Sequence, residues 1–379
     1  KGETETQAIQ DLIRNVFSLN YLSSHFNMIF SSIVATMTAN QLEINLSSPV
    51  TLIADGEKIA NTYPYIAAIM NDTIGLKHLS GLSTLVINPG SFLVTEHALN
   101  VLGVIKEVST ISLLEATLPS IFGILNNIGF IPEIKPLFDL TDISAKEVLL
   151  SVNDMAMALE GLVNYNLLDL LQRKDISVEN FSIVTDSISQ ILNNQYISCK
   201  HKAILSLLIT MIGFQKDTLN VSEVVWEEEV GYIMSALYEI AYLIDNNGFQ
   251  TANDLIRLIN EPNTLAEYAT VENIQSVIDT VRFLTSSMII EKLGMGFYQQ
   301  AILPAFQTAM HPAMYNLIKV DDVYTREDVF KDIETILTTA ESIIHGDIYH
   351  ILTEDIEIDY VGITDEVQKI INGLFGTSY

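Results

Sequence analysis

The chain offers few side chains that could do chemistry, and its single cysteine is the first to consider. Cys199 precedes His201 by two residues, so a thiol nucleophile would have an imidazole base nearby in the sequence. The alternative is a small buried or half-buried side chain without a reactive role. We favour this alternative, because a free cysteine usually behaves as a small apolar residue. With one cysteine, no disulfide can form within these 379 residues.

Histidines are a second source of chemistry, as bases or as metal ligands. The seven histidines are scattered along the chain: His25, His78, His97, His201, His311, His345 and His350. Only His345 and His350 lie close together, with Asp347 between them. A spacing of five residues does not bring both imidazoles to one face of a helix, and Gly346 weakens a helix at this point. We therefore predict a polar helix end there and not a metal site.

Two acidic clusters could bind cations or dock a basic partner. Residues 227–229 are three glutamates that follow Trp226, the only tryptophan, and residues 354–359 form the second cluster. Acidic residues in a first helical turn also complement the helix dipole, and Trp226 would then anchor that helix against its neighbour. We favour this structural role for the first cluster and a solvated face for the second.

The motifs of common enzyme classes are absent from the sequence. It has no glycine-rich phosphate loop, dinucleotide fingerprint, His-Glu-x-x-His, Gly-x-Ser-x-Gly or calcium-binding loop. We therefore predict a chain that is not an enzyme, with no catalytic, cofactor-binding or metal-binding residue and no cofactor. An enzyme whose site is assembled from distant histidines and acids remains an alternative.

The composition is that of an acidic chain with ample apolar material for a core. It has 19 basic and 47 acidic residues, a formal net charge of −28, and is 49% hydrophobic but only 17% charged. Because phosphates and anionic lipids require a basic surface, this charge argues against nucleic acid and anionic membranes as partners. It fits a basic partner or cations. Residues 15–42 are too polar, and residues 203–214 too few, for a membrane span.

Helical periodicity dominates the chain and sets the expected fold class. Apolar residues recur at helix spacing over residues 9–17, 230–244, 274–284 and 329–343, among others. Evidence for strands is limited to three short segments, at residues 42–46, 84–87 and 356–360. We therefore predict an all-α protein with at most trivial β content.

A similar helix start recurs along the chain. Ser144, Ser177, Thr270 and Thr325 each precede acidic residues and a long apolar-periodic run, the pattern of a capped helix N-terminus. The starts form two series, for the first and the second half of a repeated unit: Ser144, Val225 and Thr325; Thr95, Ser177, Thr270 and Thr364. Their spacing is too variable for ankyrin or tetratricopeptide repeats, so we predict divergent units of about four helices.

The predicted architecture is an elongated or solenoid-like array of these units. N-terminal helices occupy residues 1–48, three repeat units occupy residues 49–136, 137–216 and 217–318, and a partial or capping unit occupies residues 319–379. Arrays of this kind usually bind or build. We expect a non-enzymatic structural or protein-interaction module that binds a protein partner or self-associates. The alternative is a helical protein that binds a hydrophobic ligand such as a lipid.

The sequence also suggests a compartment. It begins at Lys1 without an apolar leader, which leads us to expect a processed product or a fragment. We favour a larger cell-surface or extracellular assembly over a cytoplasmic one. Four Asn-x-Ser/Thr sequons, at Asn45, Asn71, Asn180 and Asn220, carry little weight because the chain is rich in these residue types.

Overall fold

The computed structural model describes residues 2–37, 51–69, 95–127, 134–165, 178–213, 219–251, 268–297 and 325–346. Within these ranges the chain forms twelve α-helices and one 3₁₀ helix, and no strand. The predicted all-α fold class is therefore confirmed for the described residues. The three segments considered as short strands, and the helix start predicted near Thr364, lie outside them.

The chain divides into two compact units. The first comprises Lys1–Ser177 and Asp186–Leu207, and the second comprises Val178–Thr185 and Leu208–Tyr379. The predicted division into five segments stays a prediction.

The first unit contains most of the described helices. They are α1 (Gly2–Phe17), α2 (Asn20–Met37), α3 (Leu52–Ala68), α4 (Thr95–Val108), α5 (Ser112–Asn127), a 3₁₀ helix (Lys135–Phe138) and α6 (Ala145–Asn164). Two further helices, α7 (Ser182–Leu192) and α8 (Gln195–Ile212), contribute their residues 186–192 and 195–207. The connections within two helix pairs are short: three residues separate α4 from α5, and two residues separate α7 from α8.

Four helices of the first unit pack on one another in chain order. α3 packs on both α1 and α4, and α4 also packs on α6. Leu102 of α4 is buried with Ala156 and Val163 of α6. Gly103 allows α4 to approach α3 closely, because a Cβ at this position would lie 2.6 Å from Tyr65 Cε1. The core therefore consists of the faces shared by neighbouring helices.

The second unit repeats this kind of packing with fewer described helices. It contains α9 (Trp226–Asn246), α10 (Val271–Ser286), α11 (Met288–Phe297) and α12 (Arg326–Ile344). α10 packs on both α9 and α12. Ile278 of α10 is buried with Leu337 and Ile344 of α12. Only Ser287 separates α10 from α11.

Most of the predicted helix starts are confirmed. Ser144 and Thr325 are N-caps with complete capping boxes, and the Thr270 side chain accepts a hydrogen bond in the first turn of α10. Val225 directly precedes α9, and Thr95 is the first residue of α4. The cap bonds of Ser144, Thr270 and Thr325 satisfy first-turn backbone amides that the helix itself leaves unpaired.

The helix start predicted at Ser177 is wrong. α7 begins at Ser182, and Asn180 has φ 57°, in the left-handed region that a helical first turn does not contain. The Phe181 amide donates to Asp245 Oδ1 at 3.0 Å instead of joining a helix that starts earlier. A tertiary contact thus replaces the local cap that the sequence pattern suggested.

No single helix among the described residues is long and apolar enough to cross a membrane. The one combination with the required length and composition joins α4 and α5, which meet at a bend of 95°.

Candidate functional site

The structure does not form the thiol–imidazole pair considered at Cys199. Cys199 and His201 are two residues apart on α8, a spacing at which helix side chains do not face each other. His201 Nδ1 lies 2.6 Å from the carbonyl oxygen of Ser198. Cys199 is exposed, so the burial that we expected for it is wrong.

The histidines do not come together at a metal site in the described part of the chain. No group of three or more His, Cys, Asp or Glu side chains is placed there to hold a metal ion. His345 forms the C-terminal cap of α12, and its Nε2 lies 3.0 Å from Gln275 Oε1. This position agrees with the predicted polar helix end. His350 and Asp347, like the acidic residues 354–359, lie outside the described residues.

The glutamate cluster at the start of α9 has a role that the sequence did not reveal. Glu227 and Glu228 are exposed in the first turn, and Trp226 is buried, as predicted. Glu229, by contrast, is only 4% exposed. Its carboxylate accepts hydrogen bonds from Ser287 Oγ at 2.6 Å and from the amides of residues 288 and 289 at 3.0 and 3.1 Å. Glu229 therefore caps α11, which begins 59 residues further along the chain.

Asp55 makes the same arrangement in the first unit of the molecule. It lies in the first turn of α3 and is fully buried, at 0% exposure. Its carboxylate accepts from the Ser112 amide and hydroxyl, both at 2.8 Å, and from the Leu113 amide at 2.9 Å. Asp55 thus caps α5 from a neighbouring helix. We call this arrangement a cross-helix cap.

A third cross-helix cap joins α6 to α8 with neutral groups. The Tyr196 amide donates both to Ser151 Oγ at 3.2 Å and to the local Asn194 Oδ1 at 3.0 Å, and Asn194 Nδ2 donates to the Ser151 carbonyl oxygen at 2.8 Å. Ser151 is 3% exposed and Asn194 is 5% exposed. In all three cases, a residue near the start of a long helix caps the second member of a closely connected helix pair.

The third cross-helix cap forms the floor of an open cleft of about 510 Å³. One wall is α6 and the other is the end of α7 with the start of α8, all within the first unit. The lining residues are Leu150, Ser151, Asp154, Met157, Gln190, Asn193, Asn194 and Gln195. This volume lies in the range of sites that bind small molecules or short peptide segments.

The rim of the cleft combines apolar and polar groups. Leu150 and Met157 are 52% and 54% exposed, so both large apolar side chains are accessible to a ligand in the cleft. They are seven residues apart on α6 and so share one helix face with the exposed Asp154 between them. Gln190 and Asn193 supply amide groups from the opposite wall. The cleft can therefore contact aliphatic groups, peptide groups and a positive charge at once.

The cleft is electrically negative. Besides Asp154, Glu147 lies at its α8 end, where Glu147 Oε1 accepts from Gln195 Nε2 at 3.1 Å. Hydrogen bonds from the Ser144 hydroxyl and amide, and then the one from Gln195, lower the pKa of Glu147, which keeps it ionised. None of the described residues that line the cleft is a lysine or an arginine.

Comparison of the chain with protein-family models, with curated proteins and with solved structures finds no match in any of the three. The described residues define an all-helical protein with three cross-helix caps and one amide-lined acidic cleft beside the third of them.

Proposed function

We propose that the chain is a non-enzymatic protein-interaction module, built as a solenoid-like array of divergent helical units. The observation that carries the proposal is the recurrence of the cross-helix cap at Asp55, Ser151 and Glu229. A buried polar group that caps a helix from another helix requires a defined placement of both helices. Three such placements in the same chain order support the proposal of a repeated structural unit.

Each proposed unit contains a long helix followed by a closely connected pair. The units are α3 with α4 and α5, α6 with α7 and α8, and α9 with α10 and α11. α1 and α2 correspond to the pair of a preceding unit, and α12 corresponds to the long helix of a following one. The number of about four helices in each unit stays a prediction, because residues 70–94, 166–177 and 252–267 lie outside the described ranges.

The packing order within each compact unit supports the same proposal. In the first, α4 packs on the long helix before it, α3, and on the long helix after it, α6. In the second, α10 packs likewise on α9 and α12. Repeat arrays bury the contacts between neighbours and leave a continuous surface for partners.

Exposed apolar side chains support an interaction role. Leu12 and Val16, four residues apart on α1, are 61% and 43% exposed, and Leu19 in the connection to α2 is 55% exposed. A group of exposed apolar side chains of this kind favours a protein contact. The net charge of −28 favours a partner that is basic at the contact.

The array is tested by small-angle X-ray scattering of the full chain. A compact chain of 379 residues has a radius of gyration of about 21 Å. Helices that stack at about 9 Å intervals along one direction would raise this value above about 25 Å. A monomer with a radius near the compact value would contradict the solenoid-like arrangement.

The alternative function, a carrier of a hydrophobic ligand such as a lipid, stays a prediction. The amides and the carboxylate that line the cleft do not favour it. Native mass spectrometry of the purified chain tests it, because a lipid carrier retains its ligand as a bound mass.

A further inference from the structure

We propose that the cleft between α6 and the α7–α8 connection binds a lysine- or arginine-containing extended segment of a partner protein. This inference rests on the proposed function, since it names the chemistry of the partner that one unit of the array would take.

The first unit of the array contains an internal analogue of the proposed occupant. Lys58 lies three residues after Asp55 on α3, just as Asp154 lies three residues after Ser151 on α6. The Lys58 ammonium donates a hydrogen bond to the carbonyl oxygen of Thr110, in the connection between α4 and α5. A cation from the long helix therefore reaches the connection of the following helix pair.

In the second repeat unit of the array, formed by α6, α7 and α8, the cation is replaced by a carboxylate. Asp154 occupies the position equivalent to Lys58 and lines the cleft beside the α7–α8 connection. The equivalent space is open to solvent and carries a carboxylate in place of the cation. A lysine or arginine side chain from a partner would pair with Asp154 there, beside the connection equivalent to the one that Lys58 reaches internally.

Electrostatics favours a basic occupant over a neutral one. Asp154 and Glu147 place negative charge along one side of the cleft, and no described lining residue compensates for it. The net charge of −28 adds a long-range field that attracts cationic segments.

The apolar rim favours a peptide over a free cation. Leu150 and Met157 are separated by about 10 Å along the helix axis, from the rise of 1.5 Å per residue. Three residues of an extended segment in the polyproline II conformation span about 9 Å and return the side chain to the same face. Two apolar side chains of such a segment, three residues apart, can therefore contact Leu150 and Met157, and a long basic side chain between them can reach Asp154. The amides of Gln190 and Asn193 can both donate to and accept from a peptide backbone.

The proposal is tested with the full chain and a fluorescein-labelled peptide, acetyl-Gly-Leu-Ala-Lys-Leu-Gly-amide, by fluorescence anisotropy. The matched peptide carries glutamine in place of lysine, and spermidine serves as a free polycation. We expect saturable binding of the lysine peptide that weakens with added salt. The glutamine peptide should bind about 3-fold more weakly, in line with a partly exposed ion pair.

Variants of Asp154 locate the binding. Asp154→Asn should weaken binding of the lysine peptide about 3-fold. Asp154→Lys, which introduces the residue type of Lys58, should weaken it at least about 10-fold, because attraction becomes repulsion. Glu96→Lys makes the same charge change on α4, away from the lining residues, and should change affinity less than about 2-fold. Asp154 and Glu96 are both exposed, so all three variants should keep the wild-type helical spectrum.

Several outcomes would overturn the proposal. The first is that Asp154→Lys and the wild type bind the lysine peptide with equal affinity, and the second is that the wild type binds the two peptides equally. The third is that an equal concentration of spermidine displaces the lysine peptide, and the fourth is that the lysine peptide shows no saturable binding. None of these results bears on the radius of gyration. Failure of this inference is therefore distinguishable from failure of the array.

Discussion

Loss of the cross-helix cap at Asp55 should destabilise the protein by an amount that the structure allows us to estimate. The carboxylate is fully buried and accepts three hydrogen bonds, from the Ser112 amide and hydroxyl and from the Leu113 amide. Asp55→Ala removes all three acceptor contacts and leaves a small cavity. Asp55→Asn keeps one acceptor oxygen, but its side-chain NH₂ group cannot accept a hydrogen bond from the donors of Ser112 and Leu113 that it would face.

The expected cost follows from the number and type of the bonds. Loss of an N-cap costs about 1 kcal/mol, and a buried donor left without a partner costs about 1–3 kcal/mol. Ser112 and Leu113 are half-buried, so water recovers part of this loss. We therefore expect a fall in the free energy of unfolding of about 3 kcal/mol for Asp55→Ala and about 2 kcal/mol for Asp55→Asn.

The other two caps provide an internal comparison. Glu229→Gln should cost about as much as Asp55→Asn, because its carboxylate also accepts three bonds in a buried setting. Ser151→Ala should cost at most about 1 kcal/mol, because the neutral hydroxyl accepts a single amide bond at 3.2 Å and the Tyr196 amide keeps its bond to Asn194 Oδ1 at 3.0 Å.

The assay is urea unfolding followed by helical ellipticity. Asp154→Asn is the matched control, since it makes the same chemical change at an exposed position and should cost less than about 0.5 kcal/mol. A loss for Asp55→Asn no larger than that of the control would refute the reasoning, because it would mean that the buried carboxylate does not hold α5 in place.

Two further predictions concern packing and pH. Gly103→Ala should destabilise by about 1–3 kcal/mol, because its Cβ would lie 2.6 Å from the Tyr65 ring. Gly231→Ala should stabilise by up to about 1 kcal/mol, because the added Cβ would meet no atom within 4 Å beyond the local helix backbone. Thermal unfolding measures the effect of both glycine substitutions. A hydrogen bond from Arg282 is the largest cause that lowers the pKa of Glu341 below its ordinary 4.5. The ionised Glu341 therefore contributes to the free energy of unfolding. This contribution is complete above pH 4.5 and is lost as pH falls through the lowered pKa. Arg282→Met should accordingly reduce the dependence of the free energy of unfolding on pH in that range.

The helix starts that the sequence predicts well are those with local bonds. Ser144 and Glu147 are three residues apart, and each caps the other's backbone amide. Such a motif can be recognised in any sequence, because it needs no distant partner. At Ser177 the same residue pattern fails, because the Asp245 carboxylate takes the Phe181 amide from outside the segment.

The cross-helix caps and the cleft could not be predicted in this way. Asp55 and its partner Ser112 are 57 residues apart, and nothing near Asp55 in the sequence identifies that partner. The glutamates 227–229 look alike in the sequence, and only packing separates the buried Glu229 from its exposed neighbours. Asp154 becomes a lining residue only because Ser151 places α8 beside it.

Hydrogen–deuterium exchange of the Glu229→Gln variant tests the central claim, the array of neighbouring helical units, most directly. In such an array, stability is a sum of local and nearest-neighbour contributions, so a lost cap acts locally. The account predicts faster amide exchange than in the wild type in α9, α10 and α11, with unchanged exchange in α1, α3 and α4. An equal acceleration across all of these helices would contradict it.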